Sequence, residues 1–256
     1  MADVTRPTFI IGGAPRAGTN FLCHALDRHP DVYMAKPYMP EPKVFMGPAR
    51  PWAEYARRYA ALFAGAGRRR ALGEKTSYYL ENEAACTLIA RHLPEVRMLF
   101  SVREPVARAY SNYLWTKKNG LEDLSFEEAV RLEGRRPSPL PPERAYARPY
   151  DYLPRGHYDA FAARWFEALG RARVRFVLYE DVVAKPEPQL AGIEEFIGVA
   201  PAALGADDLG VINSAKEMGP PLDPAFERAL RERMAPSVRR FAALTGLDVT
   251  AWGYPG

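Results

Sequence analysis

FIIGGAPRAGTNFL, residues 9–22, passes from an apolar run through a glycine-rich turn into a helical pattern. It predicts a strand, a phosphate-binding loop and a helix. Phe9, Ile10 and Ile11 end a buried strand, and Gly12, Gly13 and Gly18 let the backbone turn tightly enough to aim N–H groups at one anion. The helix dipole adds partial positive charge at the same point. Set against the nucleotide-triphosphate loop G-x-x-x-x-G-K-[ST], Gly13 and Gly18 fit, while Ala14, Pro15, Arg16 and Ala17 fill the turn. Thr19 stands where the lysine belongs and Asn20 where the Mg²⁺-binding hydroxyl belongs. The loop therefore grips phosphate without the equipment of an ATPase. A turn that merely joins strand to helix is the alternative, and Arg16 inside it argues against that.

Composition narrows the class of partner. The 256 residues suffice for one large core, so a single domain over 1–256 is expected. With 35 Lys and Arg against 31 Asp and Glu the chain is mildly basic, and the two signs are interspersed. That pattern favours small anionic ligands and no nucleic acid. No run reaches the roughly 18–20 apolar residues of a membrane span, which predicts a soluble cytoplasmic protein without a membrane span. Cys23 and Cys86 are far apart and lack metal-ligand spacing, so no metal site is expected.

Further along, the sequence alternates strand and helix signals. Val32–Met34 is a short strand candidate. Residues 35–51 hold five prolines, exclude regular structure, and bring Lys36, Glu41 and Lys43 close together in a loop on the substrate side. A helix over 52–63 follows, with Trp52, Tyr55, Tyr59, Leu62 and Phe63 as a core stripe. A strand around Ala71 and Leu72 runs into Lys75. Next come a helix from Asn82 to His92, with His92 as a cationic end, and a strand from Val96 to Val102 that delivers Arg103. Pro105 opens a helix that carries Ser111 and ends at Asn119-Gly120. Ser125 and Glu128 form a capping box. Residues 134–154 read as a long surface loop and a candidate lid. A helix over 156–169, a strand over 174–179, a turn at Glu180-Asp181, a helix over 186–197 and a last helix over 224–244, interrupted near Pro236, complete the chain.

This alternation predicts an α/β fold: a P-loop-type central parallel sheet flanked by helices on both faces. Ligands bind such sheets at the carboxyl edge of the strands. Arg16, Lys75 and Arg103 each follow a predicted strand, which brings three cations to that edge. The ligand should then carry at least two anionic groups, one in the loop and one at Arg103 with Ser111 as hydroxyl donor.

These residues resemble the sulfotransferases that use 3′-phosphoadenosine 5′-phosphosulfate (PAPS), especially the heparan sulfate sulfotransferase-like branch and its bacterial relatives. The family's 5′-phosphosulfate loop, Pro-Lys-x-Gly-Thr, is here Pro15-Arg16-Ala17-Gly18-Thr19. Its 3′-phosphate motif matches Arg103 and Ser111. The stretch GEKTSYYL is similar to the Glu-Lys-[ST]-Pro segment, and this places Lys75 at the sulfuryl group. EPKVF resembles Glu-x-His-Phe-Phe, which makes Glu41 the base, with Lys43 in place of the histidine. His157 is the competing base. Lys216 resembles the basic residue that closes over the cofactor.

The resemblance implies transfer of a sulfuryl group from PAPS to a hydroxyl or amine of a small-molecule or carbohydrate acceptor, without metal, leaving adenosine 3′,5′-bisphosphate (PAP). A small-molecule kinase with a degenerate loop and a non-catalytic adenosine bisphosphate-binding module are the alternatives. The sequence leaves acceptor and oligomeric state open.

Overall fold

The computed structural model describes residues 6–202 and 219–255. Among these residues five strands form one sheet: β1 (Phe9–Gly13), β2 (Val32–Met34), β3 (Ala71–Lys75), β4 (Arg97–Val102) and β5 (Val174–Leu178). They lie in the order β2-β3-β1-β4-β5, and every pairing is parallel. The apolar runs of β1 and β4 therefore become interior strands, as sheets covered on both faces demand. Ile11 pairs with Lys75 on one side and Leu99 on the other. β3 is longer than its apolar residues suggested, because this pairing holds Gly73, Glu74 and Lys75 in the ladder.

The described residues cluster into two compact units, 6–102 with 164–202, and 103–163 with 219–255. In the first, one sheet face is covered by α1 (Thr19–Leu26) and α8 (Pro186–Ile197), with α7 (Tyr179–Ala184) beside them. Phe9, Ile11, Leu99 and Val177 meet Leu22, Leu26, Val182, Ile193 and Ile197 in that layer. Each such side chain contributes about 1.5–3 kcal/mol on burial. Strand alternation sends Ile10, Met98 and Phe100 to the other face, where Phe100 lies 5.1 Å from both Trp165 and Phe176, centroid to centroid. Trp165 belongs to α6 (Tyr158–Leu169), and its indole N–H donates to Leu80 O at 3.0 Å. Gly12 is required here, since a Cβ would stand 2.4 Å from the Phe100 ring. On this side α2 (Trp52–Leu62) buries Tyr55 and Tyr59, and His92, the last residue of α3 (Glu83–His92), stacks on Phe45 and Trp52. His92 stands in the last turn of α3 as expected, and partial desolvation and Arg91 lower its pKa, which favours the neutral ring.

The second unit is helical, with α4 (Pro105–Lys118), α5 (Phe126–Arg131) and α9 (Pro224–Thr245). Val106, Tyr113, Phe126, Tyr152, Leu230 and Met234 form its core. The capping box at Ser125 and Glu128 is present. Three sequence expectations change. The stretch 134–154 contains a 3-10 helix at Pro142–Ala147, and its end is core, with Tyr152 and Leu153 fully buried and both amides donating to Glu133. Glu180-Asp181, read as a turn, lies in the first turn of α7, where carboxylates favour a helix start. Pro236 does not interrupt α9: the exposed face around it leaves the unpaired carbonyl to water.

Candidate active site

β1 ends in Gly13, whose φ of 144° leaves the ordinary strand region, and Gly18, at φ 77°, caps α1. Both positions demand glycine. A Cβ at Gly13 would stand 2.7 Å from Ser77 O, and one at Gly18 2.8 Å from the Tyr179 ring. Between them Arg16 takes φ 71°, a conformation that non-glycine residues adopt at some cost. The turn is closed by a neighbouring strand: Ala14 N–H donates to Ser101 O at 2.7 Å, and the Ser101 hydroxyl donates to Ala17 O at 2.6 Å. The Ala14 amide, expected among those facing an anion, is thus spent on the scaffold. Pro15 has no N–H, and α1 has no side-chain cap. The N–H groups of its first turn, Thr19 and Asn20 among them, have no acceptor within the helix. They stand at the positive end of the dipole, where an anion would find donors.

Lys75 ends β3 on the same face as α1. Its Nζ donates to Asn20 Oδ1 at 2.6 Å and pairs with Glu41 Oε1 at 2.9 Å. The two charged side chains are nearly buried, at 3% and 9% exposure. Glu41 thereby pairs with Lys75; Lys36 pairs instead with Asp27. Ser77 grips the carboxylate twice, through its hydroxyl at 2.7 Å to Oε1 and its amide at 3.2 Å to Oε2. The Ser77 and Thr19 hydroxyls lie 3.0 Å apart. A carboxylate only accepts, so Ser77 spends its proton on Glu41 and Thr19 donates to Ser77. A continuous polar chain thus runs from the loop through Thr19, Ser77, Glu41 and Lys75 back to Asn20. Met39, 65% exposed, brings its sulfur to 3.9 Å from Lys75 Nζ.

Of the expected site residues, the structure joins Gly13 to Asn20, Lys75 and Glu41 in one constellation. Arg103 and Ser111 belong to the second unit. Arg103 follows β4 directly and its carbonyl accepts from Tyr158 OH at 2.9 Å; Ser111 lies on α4, 8% exposed. Glu104 caps that helix, accepting from the amides of Val106 at 3.0 Å and Ala107 at 2.6 Å. His157, the competing base, lies in this unit too, and burial, assisted by Arg233 and Arg240, lowers its pKa. Lys216 lies outside the described residues.

Sequence reasoning missed Ser77 and Glu74. Ser77 stands where the resembling motif carries proline, and a proline there would offer neither the amide nor the hydroxyl that holds Glu41. Glu74 is fully buried and accepts from Tyr59 OH at 2.5 Å, Thr76 Oγ1 at 2.8 Å and Tyr79 OH at 2.7 Å. Burial raises its pKa, against the lowering effect of these bonds. The available signal was a carboxylate inside an apolar strand, which needs partners wherever it is buried.

A family model described as the Sulfotransferase family matches residues 45–202, more than half of the chain, and the chain belongs to that family. Human heparan sulfate glucosamine 3-O-sulfotransferase 6 is 26% identical over 269 aligned positions, covering 96% of this chain and 74% of that protein. The membrane-associated sulfotransferase kil1 of Dictyostelium discoideum is 26% identical over 135 residues, half of this chain but only 28% of its own length. Among solved structures, a sulfotransferase from Alicyclobacillus acidocaldarius superposes with a TM-score of 0.79 at 26% identity, over 98% of this chain and all of that one. The sheet and its flanking helices are the P-loop-like sulfotransferase fold.

Proposed function

We propose that this sulfotransferase takes a sulfuryl group from PAPS and passes it to a hydroxyl or amine of a small-molecule or carbohydrate acceptor, releasing PAP. The observation that carries the reading is Lys75 Nζ held between Asn20 of the loop helix and the Glu41 carboxylate, which ties an anion cradle to a base. The cradle suits a 5′-phosphosulfate: Gly13 and Gly18 let its backbone turn while packed against Ser77, Leu80 and Tyr179, and the uncapped start of α1 offers N–H groups. The donor supplies an activated sulfuryl group on a phosphate leaving group. The loop amides and the Arg16 guanidinium stabilise charge that grows on that phosphate; Arg16 keeps its protons and acts by charge alone. Lys75 sets a positive charge at the sulfuryl oxygens. Glu41, oriented by both donors of Ser77, takes the acceptor proton as the new bond forms. The family resemblance assigns the 3′-phosphate to Arg103 with Ser111 and a donor contact to Lys216.

Sulfuryl carries less charge than phosphoryl, so these cations suffice without Mg²⁺. A carbohydrate hydroxyl is one acceptor class, in keeping with the heparan sulfate glucosamine named for the human relative. A reducing cytoplasmic setting fits the two free, buried thiols of Cys23 and Cys86.

The test is radiolabelled PAPS with a panel of phenols, amines and sugars, in millimolar chelator. Labelled product is expected in step with PAP. Glu41→Gln should cut turnover at least about 100-fold, within the range of general base catalysis, with PAP affinity nearly unchanged. A strict need for added Mg²⁺, or a Glu41→Gln variant as active as wild type while His157→Ala is dead, would overturn the assignment.

A further inference from the structure

Glu74 and Lys75 are neighbours on β3 and point to opposite faces of the sheet. Lys75 faces α1 and the loop; Glu74 faces α2. The hydrogen bonds around Glu74 have a determined direction. Lys43 N–H donates to Thr76 Oγ1 at 2.9 Å, so the Thr76 proton is left for Glu74 Oε1. Phe45 N–H donates to Tyr79 OH at 3.0 Å, so the Tyr79 proton likewise goes to Oε1. Backbone amides cannot accept in this sense, which fixes both hydroxyls. One carboxylate therefore gathers the amides of Lys43 and Phe45, each through a hydroxyl.

The carbonyl side of the same segment is also held. Arg58 donates to Pro42 O at 2.7 Å and to Val44 O at 2.9 Å. Within this clamp Lys43 adopts φ 50°, a left-handed conformation that persists in a non-glycine residue only where the surroundings over-determine it. That turn, with the rigid Pro42 before it, is what returns the chain so that Glu41 meets Lys75 and Ser77.

We infer that Glu74 is a positioning residue: through Thr76, Tyr79 and the backbone of residues 43–45 it sets where the Glu41 carboxylate stands. The inference rests on the reading of Glu41 as the base. β3 then serves the site from both faces, with Lys75 in the chemistry and Glu74 beneath the loop that brings the base.

Thr76 supplies the cleanest test, because valine keeps its shape and removes the relay while serine keeps the hydroxyl. Thr76→Val should lower kcat by about 10- to 100-fold, the scale expected for a reacting group misplaced by an ångström or less. The KM for PAPS and the PAP affinity by calorimetry should stay within about twofold, and Thr76→Ser should restore most of kcat. Glu74→Leu should behave like Thr76→Val, since it removes the oxygen at which the Thr76 and Tyr79 protons are aimed. If Glu74→Leu fails to fold, the threonine pair decides alone. A Thr76→Val protein that binds PAP normally and turns over like wild type would overturn the inference, as would a Thr76→Ser protein as slow as the valine variant. Glu41→Gln, run in parallel, separates the two readings. If it is dead while Thr76→Val is fully active, positioning is wrong; if it is itself fully active, the base is elsewhere and the positioning role falls with it.

Discussion

Lys75 and Glu41 form an ion pair almost out of reach of water, and such a pair cannot be halved cheaply. Removing one partner leaves the other charged and buried, at a cost of about 3–5 kcal/mol. Lys75→Met should therefore abolish turnover and also lower the melting temperature by about 6–20 °C, given about 2–4 °C per kcal/mol for a chain of this size. Circular dichroism melts check the second effect independently of any acceptor; an unchanged melt would mean that the pair is solvated and adds little. The charge types at this site were readable from the sequence, because Arg16 and Lys75 follow strands in a parallel-sheet pattern. The partnership was not. A loop with five prolines has no period from which to infer where Glu41 points, and nearby Lys36 and Lys43 competed for it on sequence distance alone. Only the fold brings in Lys75 and Ser77, from 34 and 36 positions away.

Elements with a local signature were legible, while those decided by context were not. β2 and α8 fall where their residues place them, and α5 starts at the capping box written in its sequence. Pro236 shows the limit, for a proline inside a helical pattern reads as a break, yet α9 runs through it. Met234, Ala235, Ser237 and Val238 are buried on either side and hold the helix together. The cost of the proline is then still being met in the folded state. Pro236→Ala restores an amide and removes a ring clash, offset by a freer unfolded chain, for a net gain of about 1–2 kcal/mol. Thermal unfolding should rise by about 2–8 °C. A fall would mean that the proline ring itself packs usefully.

The whole molecule is tested by its ligand. A nucleotide that binds only the native state stabilises it by mass action, by about 2.7 kcal/mol at a hundredfold excess over Kd. PAP should raise the melting temperature well above the shift from ADP, and Arg103→Ala should erase the difference. Equal shifts from the two nucleotides would remove Arg103 from donor recognition. The bonds from Ser101 to Ala14 and Ala17 carry a further meaning for how the protein is made. Within this sheet β1 is the first strand in chain order and the central one, with Gly73 and Arg97 as the partners of Phe9. Its glycine turn has the look of a self-contained motif but is completed by a strand synthesised much later. Until residue 102 has emerged, the nascent chain holds the letters of the glycine turn without the bonds that close it, so no ligand that reads the closed turn can assist the earliest folding steps. Such long-range pairing slows folding, and it makes the closing of the turn and the closing of the sheet a single event.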